Sequence, residues 1–293
     1  MSQALYRTYR PASWEEVRGQ ESIVSTLRAA VEAGNPAHAY LFSGGRGTGK
    51  TTVARIFAKD LGCVPEDIYE IDAASNRGID DIRELREAVY TLPFSSPYKV
   101  YIIDEVHMLT KDSFNALLKT LEEPPAHVIF ILATTEPHKL LDTVVSRCQV
   151  FTFKKPGIET LSDIVRDVAK KEGYELDASS AGLIALLGDG SFRDTLGMLQ
   201  KVIGASSDKK LSRAEVETIT GAPQVETIHV LIEAVCYADG AKGLGAIRTA
   251  KESGVAMDVF AKLLLRNFRT LLLLRFDPKI KAVLAEDMAE DEL

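Results

Sequence analysis

With 293 residues, 46% hydrophobic and 26% charged, the sequence has an ordinary globular composition and enough length for two or three domains. Its net charge of −7 excludes a uniformly basic coat for nucleic acid, while leaving room for a local basic track. The three cysteines, Cys63, Cys148 and Cys236, are far apart and form no C-x-x-C pair. A disulfide framework and a cysteine zinc site are thereby excluded, and a reducing, cytoplasmic setting fits.

The opening MSQALYRTYRPASW has no apolar signal core. From residue 1 to about 156, short β-rich runs alternate with helical patterns, which predicts an α/β fold with a parallel sheet and crossover helices. The expected strands are AYLFSG, IYEIDA, KVYIID, VIFILAT and VFTF. Pro156 and Gly157 break the periodicity, and residues 157–221 read as a small domain of short helices without a convincing strand. TGAPQVE at 220–226 is a second break, followed by longer helices over 222–293. In VFAKLLLRNFRTLLLLRF, Lys262, Arg266 and Arg269 interrupt the apolar run, so a buried amphipathic helix is expected and no membrane span. The acidic tail AEDMAEDEL reads as a solvated, frayed end.

The most specific signal is YLFSGGRGTGKTT. Gly44-x-x-x-x-Gly49-Lys50-Thr51 fits G-x-x-x-x-G-K-[ST], follows a strand and opens a helix, the context a P-loop needs. The loop residues Gly44, Gly45, Arg46, Gly47, Thr48 and Gly49, with Lys50, Thr51 and Thr52 opening the helix, would cradle a nucleotide with backbone N–H groups and the helix N-terminus. Lys50 would reach the β- and γ-phosphates and the Thr51 hydroxyl would hold Mg2+. Downstream, KVYIIDEVHML ends an apolar strand in Asp104-Glu105, assigned to metal and to hydrolysis respectively. At the end of VIFILATT, Thr134 and Thr135 both qualify as a sensor of the γ-phosphate; strand alternation lets only one face the nucleotide, and Thr135 is preferred. Arg147, in VVSRCQVFTF, has no carboxylate within several positions and on its own reads as a solvated charge.

Taken together, these residues resemble the AAA+ ATPases, and specifically the clamp loaders. LYRTYRPASWEEVRGQE resembles the opening box of the bacterial DNA polymerase III gamma/tau family and of replication factor C. YEIDAASNRGIDDIREL, IDEVHMLTKDSFNALLKTLEEPP and LATTEPHKLLDTVVSRCQVF resemble gamma/tau closely, from about Leu5 to Gln200, with the match fading beyond. The resemblance implies a P-loop AAA+ domain over 1–156, a helical lid over 157–221 and a helical collar for oligomerisation over 222–293, shorter than expected, as in a fragment or a reduced subunit.

Several residue roles follow from the resemblance alone. Arg147 becomes an arginine finger acting in trans, without a partner in its own chain. Arg193, in DGSFRDTLGML, becomes the sensor-2 arginine over the phosphates of its own site. The opening box implies an adenine pocket from Tyr6, Tyr9, Arg10, Pro11 and Val17, although these could equally form an arm packed on the domain. AKDLGCVPEDIYEIDAAS keeps only Cys63 where the family carries a four-cysteine module, so no zinc is expected.

The implied function is an ATP- and Mg2+-dependent motor subunit of the bacterial replicative clamp loader. Its implied partners are delta, delta-prime and further gamma/tau copies in a hetero-pentamer, the sliding clamp, and primer-template DNA held through its backbone. A clamp-facing tip is expected at Leu92, Pro93 and Phe94, and DNA contacts at Arg77, Lys111, Lys119 and Lys139, at or near helix starts and loops. Two alternatives are a non-hydrolysing delta-prime-like subunit, which the intact P-loop and Glu105 argue against, and a branch-migration helicase motor, which would need a winged-helix domain that the C-terminal helices do not offer.

Overall fold

The computed structural model describes residues 3–75, 79–206 and 208–276. Two compact units emerge. One spans Arg10–Pro156; the other joins Tyr9 and the residues just before it to the chain from Gly157 onward.

The helical unit begins with a single turn, α1 (Leu5–Thr8), and the sheet unit follows with α2 (Glu21–Glu32). All five expected strands form: β1 (Ala39–Gly44), β2 (Ile68–Asp72), β3 (Lys99–Asp104), β4 (Val128–Thr134) and β5 (Gln149–Phe153). They pair in parallel in the order β2-β3-β4-β1-β5. Buried on both faces, β1, β3 and β4 carry unbroken apolar runs, whereas the edge strands β2 and β5 are partly exposed.

Strand alternation divides the core in two. Tyr40 and Phe42 of β1 point to the face covered by α2 and α3 (Lys50–Asp60), packing with Leu27, Val53 and Phe57. Leu41, Tyr101, Ile103 and Phe130 point to the other face. There they meet α4 (Ile79–Val89) and α5 (Lys111–Glu122) through Leu85, Val89, Leu117 and Leu121, with α6 (Asp142–Val145) closing that layer.

The chain returns from β1 to β2 by way of the far edge, so the strand order reverses beside β1. In open parallel sheets ligands bind at such a point, beyond the carboxyl ends of the strands. Here β4 lies between β1, which feeds the glycine loop, and β3, which ends in Asp104.

In the helical unit, α7 (Ile158–Lys171), α8 (Ala178–Leu187), α9 (Phe192–Ala205), α10 (Arg213–Thr220), α11 (Val225–Cys236), α12 (Gly240–Glu252) and α13 (Met257–Phe276) follow in order. Short polar residues start four of them. Asp177, Ser191, Ser212 and Asp239 each accept the N–H three residues on, satisfying a donor that the helix itself cannot. Gly221, at φ 73°, ends α10 two residues before Pro223. Leu5, Val165, Leu183, Leu199, Ile228 and Leu263 share its apolar core.

The expectation of a strand-free lid needs correction. Glu175–Leu176 (β6) pairs in parallel with Lys210–Leu211 (β7), a two-residue ladder too short to leave a sequence pattern. The acidic tail lies outside the described residues.

Candidate functional site

The glycine loop begins at a contact that leaves no room for a side chain. Gly44 has φ 147°, and a Cβ there would stand 2.5 Å from the Phe153 carbonyl oxygen of β5. Gly47 and Gly49 adopt φ 69° and 103°, the left-handed side of φ space that glycine enters without penalty. Gly49 is also the N-cap of α3, so the chain turns from loop to helix on residues free of Cβ strain. Arg46 is exposed at the crest, while Gly45 is partly covered.

Side chains lock this backbone from beneath. The buried Thr48 hydroxyl donates to the Gly45 carbonyl at 2.9 Å. Lys50 is 6% exposed, and its ammonium donates to the carbonyls of Gly44 and Gly45, both at 2.8 Å. Thr51 donates to Asp104 Oδ2 at 2.8 Å, which ties the start of α3 to the end of β3. Thr52 accepts from Arg10 Nε at 2.9 Å, bringing one residue of the opening box to the same helix. Pro11 and Val17 are half-buried in this unit, Val17 against the α2/α3 core. Tyr6 and Tyr9 belong to the helical unit and pack on its core, and the Tyr9 hydroxyl donates to Glu172 at 2.6 Å. Only the glycine-loop side of the opening box therefore lies in the sheet unit.

A second constellation stands beside the loop. Asp104 Oδ1 accepts the Glu105 N–H at 3.0 Å. Glu105 itself sits at φ 48°, a strained position for a residue with a side chain, of the kind that clusters at functional sites. Its Oε2 accepts the Thr135 hydroxyl at 2.9 Å and the Thr135 N–H at 3.2 Å. Thr134 is fully buried and bonded to His107 instead, at 3.0 Å. The two threonines thus separate as strand alternation requires, with Thr135 on the side of Glu105. Thr51 and Asp104 offer a hydroxyl and a carboxylate, the hard oxygen donors that suit Mg2+, which takes few protein ligands and completes its shell with water and phosphate. Among the described residues, no group of three His, Cys, Asp or Glu side chains could hold a metal ion.

Arg147 corrects an expectation. It has a partner in its own chain: Nη2 donates to Glu122 Oε1 at 2.8 Å and Nη1 to the Thr143 carbonyl at 2.6 Å. Glu122 comes from the end of α5, which α6 packs against, so the pairing is tertiary and invisible to a search of near neighbours. Both side chains are substantially exposed, and such pairs contribute on the order of 0–1 kcal/mol. Arg193 lies in the first turn of α9 in the helical unit, exposed, with its guanidinium 5.8 Å from the Tyr6 ring centroid.

Of the basic residues expected to meet DNA, Lys111 opens α5, whereas Lys119 lies in the last turn of that helix, away from any helix start. Lys139 closes the short turn Pro137–Lys139 and pairs with Glu136. All three are exposed, and Arg77 lies outside the described residues. Leu92 and Phe94 are 78% and 82% exposed, with Tyr90 at 63%, so this tip does not pack into the core; Pro93 is half-buried.

The tip's backbone is held by residues that the sequence did not single out. Buried Asp67 accepts the N–H groups of Phe94, Ser95 and Ser96 at 2.6, 3.1 and 3.0 Å. Burial opposes its charge, but these bonds and the Ser96 hydroxyl outweigh it and bring its carboxyl down to about 2. Buried Lys99 donates to the Ala88 carbonyl and the Thr91 hydroxyl.

Comparison with known proteins decides the family. Along 99% of its length the chain is 39% identical to DNA polymerase III subunit gamma/tau of Mycobacterium tuberculosis and 41% identical to the tau subunit of Bacillus subtilis. It is 36% identical to that of Escherichia coli over the same share.

The chain belongs to the gamma/tau family.

It spans about half the length of these relatives: 54%, 55% and 48% respectively. The aligned region extends past Gln200, where the recognised motifs end, and through the C-terminal helices. A family described as DNA polymerase III, delta subunit, also matches residues 19–78 and 66–157. Among solved structures, Thermotoga maritima RuvB, described as a Holliday junction branch migration motor, superposes with a TM-score of 0.62. At 23% identity, covering 87% of this chain and 88% of that one, it shows the P-loop AAA+ fold. No helix among the described residues is long and apolar enough to cross a membrane.

Proposed function

We propose that this gamma/tau-family chain is an ATP-hydrolysing motor subunit of a bacterial replicative clamp loader, using ATP to open a ring-shaped sliding clamp and close it around primed DNA. The observation that carries this reading is the pair of hydrogen bonds joining three distant motifs at the carboxyl ends of the central strands, Thr51 to Asp104 and Thr135 to Glu105. A nucleotide-binding fold that had lost hydrolysis would have no need to keep Glu105 in a strained backbone position beside a strand-end hydroxyl.

In this mechanism the loop from Gly44 to Gly49 presents backbone N–H groups to the phosphates, and Lys50 supplies a fixed positive charge. Thr51 and Asp104 would hold Mg2+, which would supply neutralisation of phosphate charge. Glu105 orients the attacking water and Thr135 fixes the carboxylate's direction. Arg10, Pro11 and Val17 bound the adenine side. Arg147 leaves its weak pairing with Glu122 to serve a neighbouring subunit's site. An always-charged, forked guanidinium suits that role.

The partners are delta, delta-prime and further copies of this chain in a hetero-pentamer in the cytoplasm. Val235, Leu244, Leu265 and Leu272, exposed on α11–α13, support a collar that packs between subunits. Leu92 and Phe94 would meet the clamp. Lys111, Lys119 and Lys139 would hold the DNA backbone without reading its sequence.

The test is steady-state ATP hydrolysis by the assembled complex with clamp and primed DNA. Glu105→Gln should bind ATP normally and stop turnover. Arg147→Ala should leave this subunit's own ATP affinity intact, yet lower stimulated turnover by about 10³-fold. Mixing Arg147→Ala with Lys50→Ala subunits should restore activity only where an intact loop of one meets an intact finger of the other. Normal turnover by the Glu105→Gln complex would refute the reading.

A further inference from the structure

Glu122 stands at the wrong end of its helix. It closes α5, where the last carbonyls form the negative pole that disfavours a carboxylate. Glu123, Pro124 and Pro125 follow, and the prolines keep the helix from running on. The charge therefore opposes the helix that carries it.

What Glu122 meets is the guanidinium of Arg147. Nη2 donates to Glu122 Oε1 at 2.8 Å, while Nη1 donates at 2.6 Å to the Thr143 carbonyl, near the end of α6. Both terminal nitrogens, the fork that would clasp a phosphate, are thus engaged within the chain.

The backbones beneath this pair are fixed. Leu121 and Val144 are buried in one core, Cys148 packs against it, and the N–H groups of Arg147 and Cys148 bond back to Val144 and Val145. The side chains themselves are 34% exposed for Arg147 and 48% for Glu122. Releasing the guanidinium therefore needs only rotation about side-chain bonds, on the order of nanoseconds at an exposed site, and leaves the fold unchanged.

We propose that Glu122 is a latch on the arginine finger, a competitor that holds Arg147 within its own chain until the phosphates of a neighbouring subunit's site draw it away. The proposal rests on the reading of Arg147 as a finger acting in trans. The several negative oxygens of a bound triphosphate outmatch one carboxylate when the neighbour's site is filled and near. When that site is empty or distant, the carboxylate keeps the guanidinium. The latch thus sets how readily the finger engages, and Glu122 never touches nucleotide. Its strength suits release. An exposed pair shifts an equilibrium by a factor of about one to five, which leaves the finger free for about one-half to one-sixth of the time. A fully buried pair would withhold it. Because only the free fraction is competent to engage, removing the latch should raise the finger's availability by about 2- to 6-fold.

The experiment measures ATP affinity and turnover in the complete clamp loader, without and with clamp and primed DNA, for Glu122→Gln, Arg147→Ala and the double variant. Glu122→Gln should keep its ATP affinity and raise unstimulated turnover by about 2- to 6-fold, with a smaller gain once clamp and DNA are present and the finger is already engaged. In the double variant the gain should vanish, because no finger is left to release. Unchanged turnover for Glu122→Gln would overturn the proposal. So would lower turnover, which marks a carboxylate that aims the finger, and so would a gain that persists without Arg147. Arg147→Ala alone separates the two readings. If its stimulated turnover stays normal, the finger reading fails and takes the latch with it; if it falls while Glu122→Gln gains nothing, only the latch fails.

Discussion

The glycine loop after β1 and the apolar tip after α4 belong to the same sheet unit, yet they are built on opposite plans. In the loop the backbone is the working surface, and side chains are spent on holding it: Thr48 and Lys50 bond to its carbonyls, and glycines clear the space. In the tip the side chains face outward. Tyr90, Leu92 and Phe94 stand in solvent, while buried Asp67 and Lys99 grip the backbone behind them. Burying a charge costs free energy unless it is fully hydrogen-bonded, so each anchor marks a place where fixed geometry is worth that cost. Both backbones are anchored by buried charges.

Four substitutions sharpen or break this contrast, from the largest effect to the smallest. Lys50→Ala removes a buried ammonium bonded to the loop's carbonyls and should weaken ATP binding by about a hundredfold or more, as the loss of one partner of a buried charged pair does. Equal affinity in a titration of the two proteins would break the loop's half of the comparison. Gly44→Ala drives a Cβ into the Phe153 carbonyl and should destabilise the sheet unit by about 1–3 kcal/mol, read as a lower Tm.

Asp67→Ala leaves three N–H groups without their acceptor and should cost about 1–2 kcal/mol, with weaker clamp binding and unchanged ATP affinity. Acid should do the same to the intact protein. The Asp67 carboxyl is lowered to about 2 in the folded state, below its value of about 4 in the unfolded chain. Its contribution is therefore complete above about pH 4 and is lost as pH falls toward about 2, whereas Asp67→Ala should lack this part of the acid transition. Phe94→Ala should change stability by less than about 0.5 kcal/mol because the ring is 82% exposed. Its clamp affinity should nevertheless fall about tenfold or more, the behaviour of an interface anchor. A large loss of stability with normal clamp binding would reverse the assignment.

The strands and the glycine loop were legible because their signals are local. A strand buried on both faces reads as a continuous apolar run, and the loop's glycines sit at fixed spacings. Residues whose meaning depends on sheet order were not legible. His107 meets Thr134 and Glu136 only because β3 and β4 are neighbours, and Arg147 meets Glu122 only because α6 packs near the end of α5. Asp67 looked like one acid among many in VPEDIYEID; burial, which a single sequence does not display, is what sets it apart. The opening box illustrates a third kind of limit. Tyr9 and Arg10 are adjacent in sequence, yet they fall in different units, because Tyr9 finds Glu172 while Arg10 finds Thr52.

Cys148, next to Arg147, carries a consequence for chemical reactivity. Burial pushes its thiol up to about 11, and the same holds for Cys63. At neutral pH only roughly one molecule in ten thousand would present a thiolate at either position, and the thiolate is the form that oxidants and alkylating reagents attack. Cys236, at the end of α11, is exposed. A maleimide or iodoacetamide dye applied briefly at neutral pH would mark the helical unit at one site and leave both sheet-unit thiols intact. The unaltered chain thus already carries a single attachment point for fluorescence, on α11.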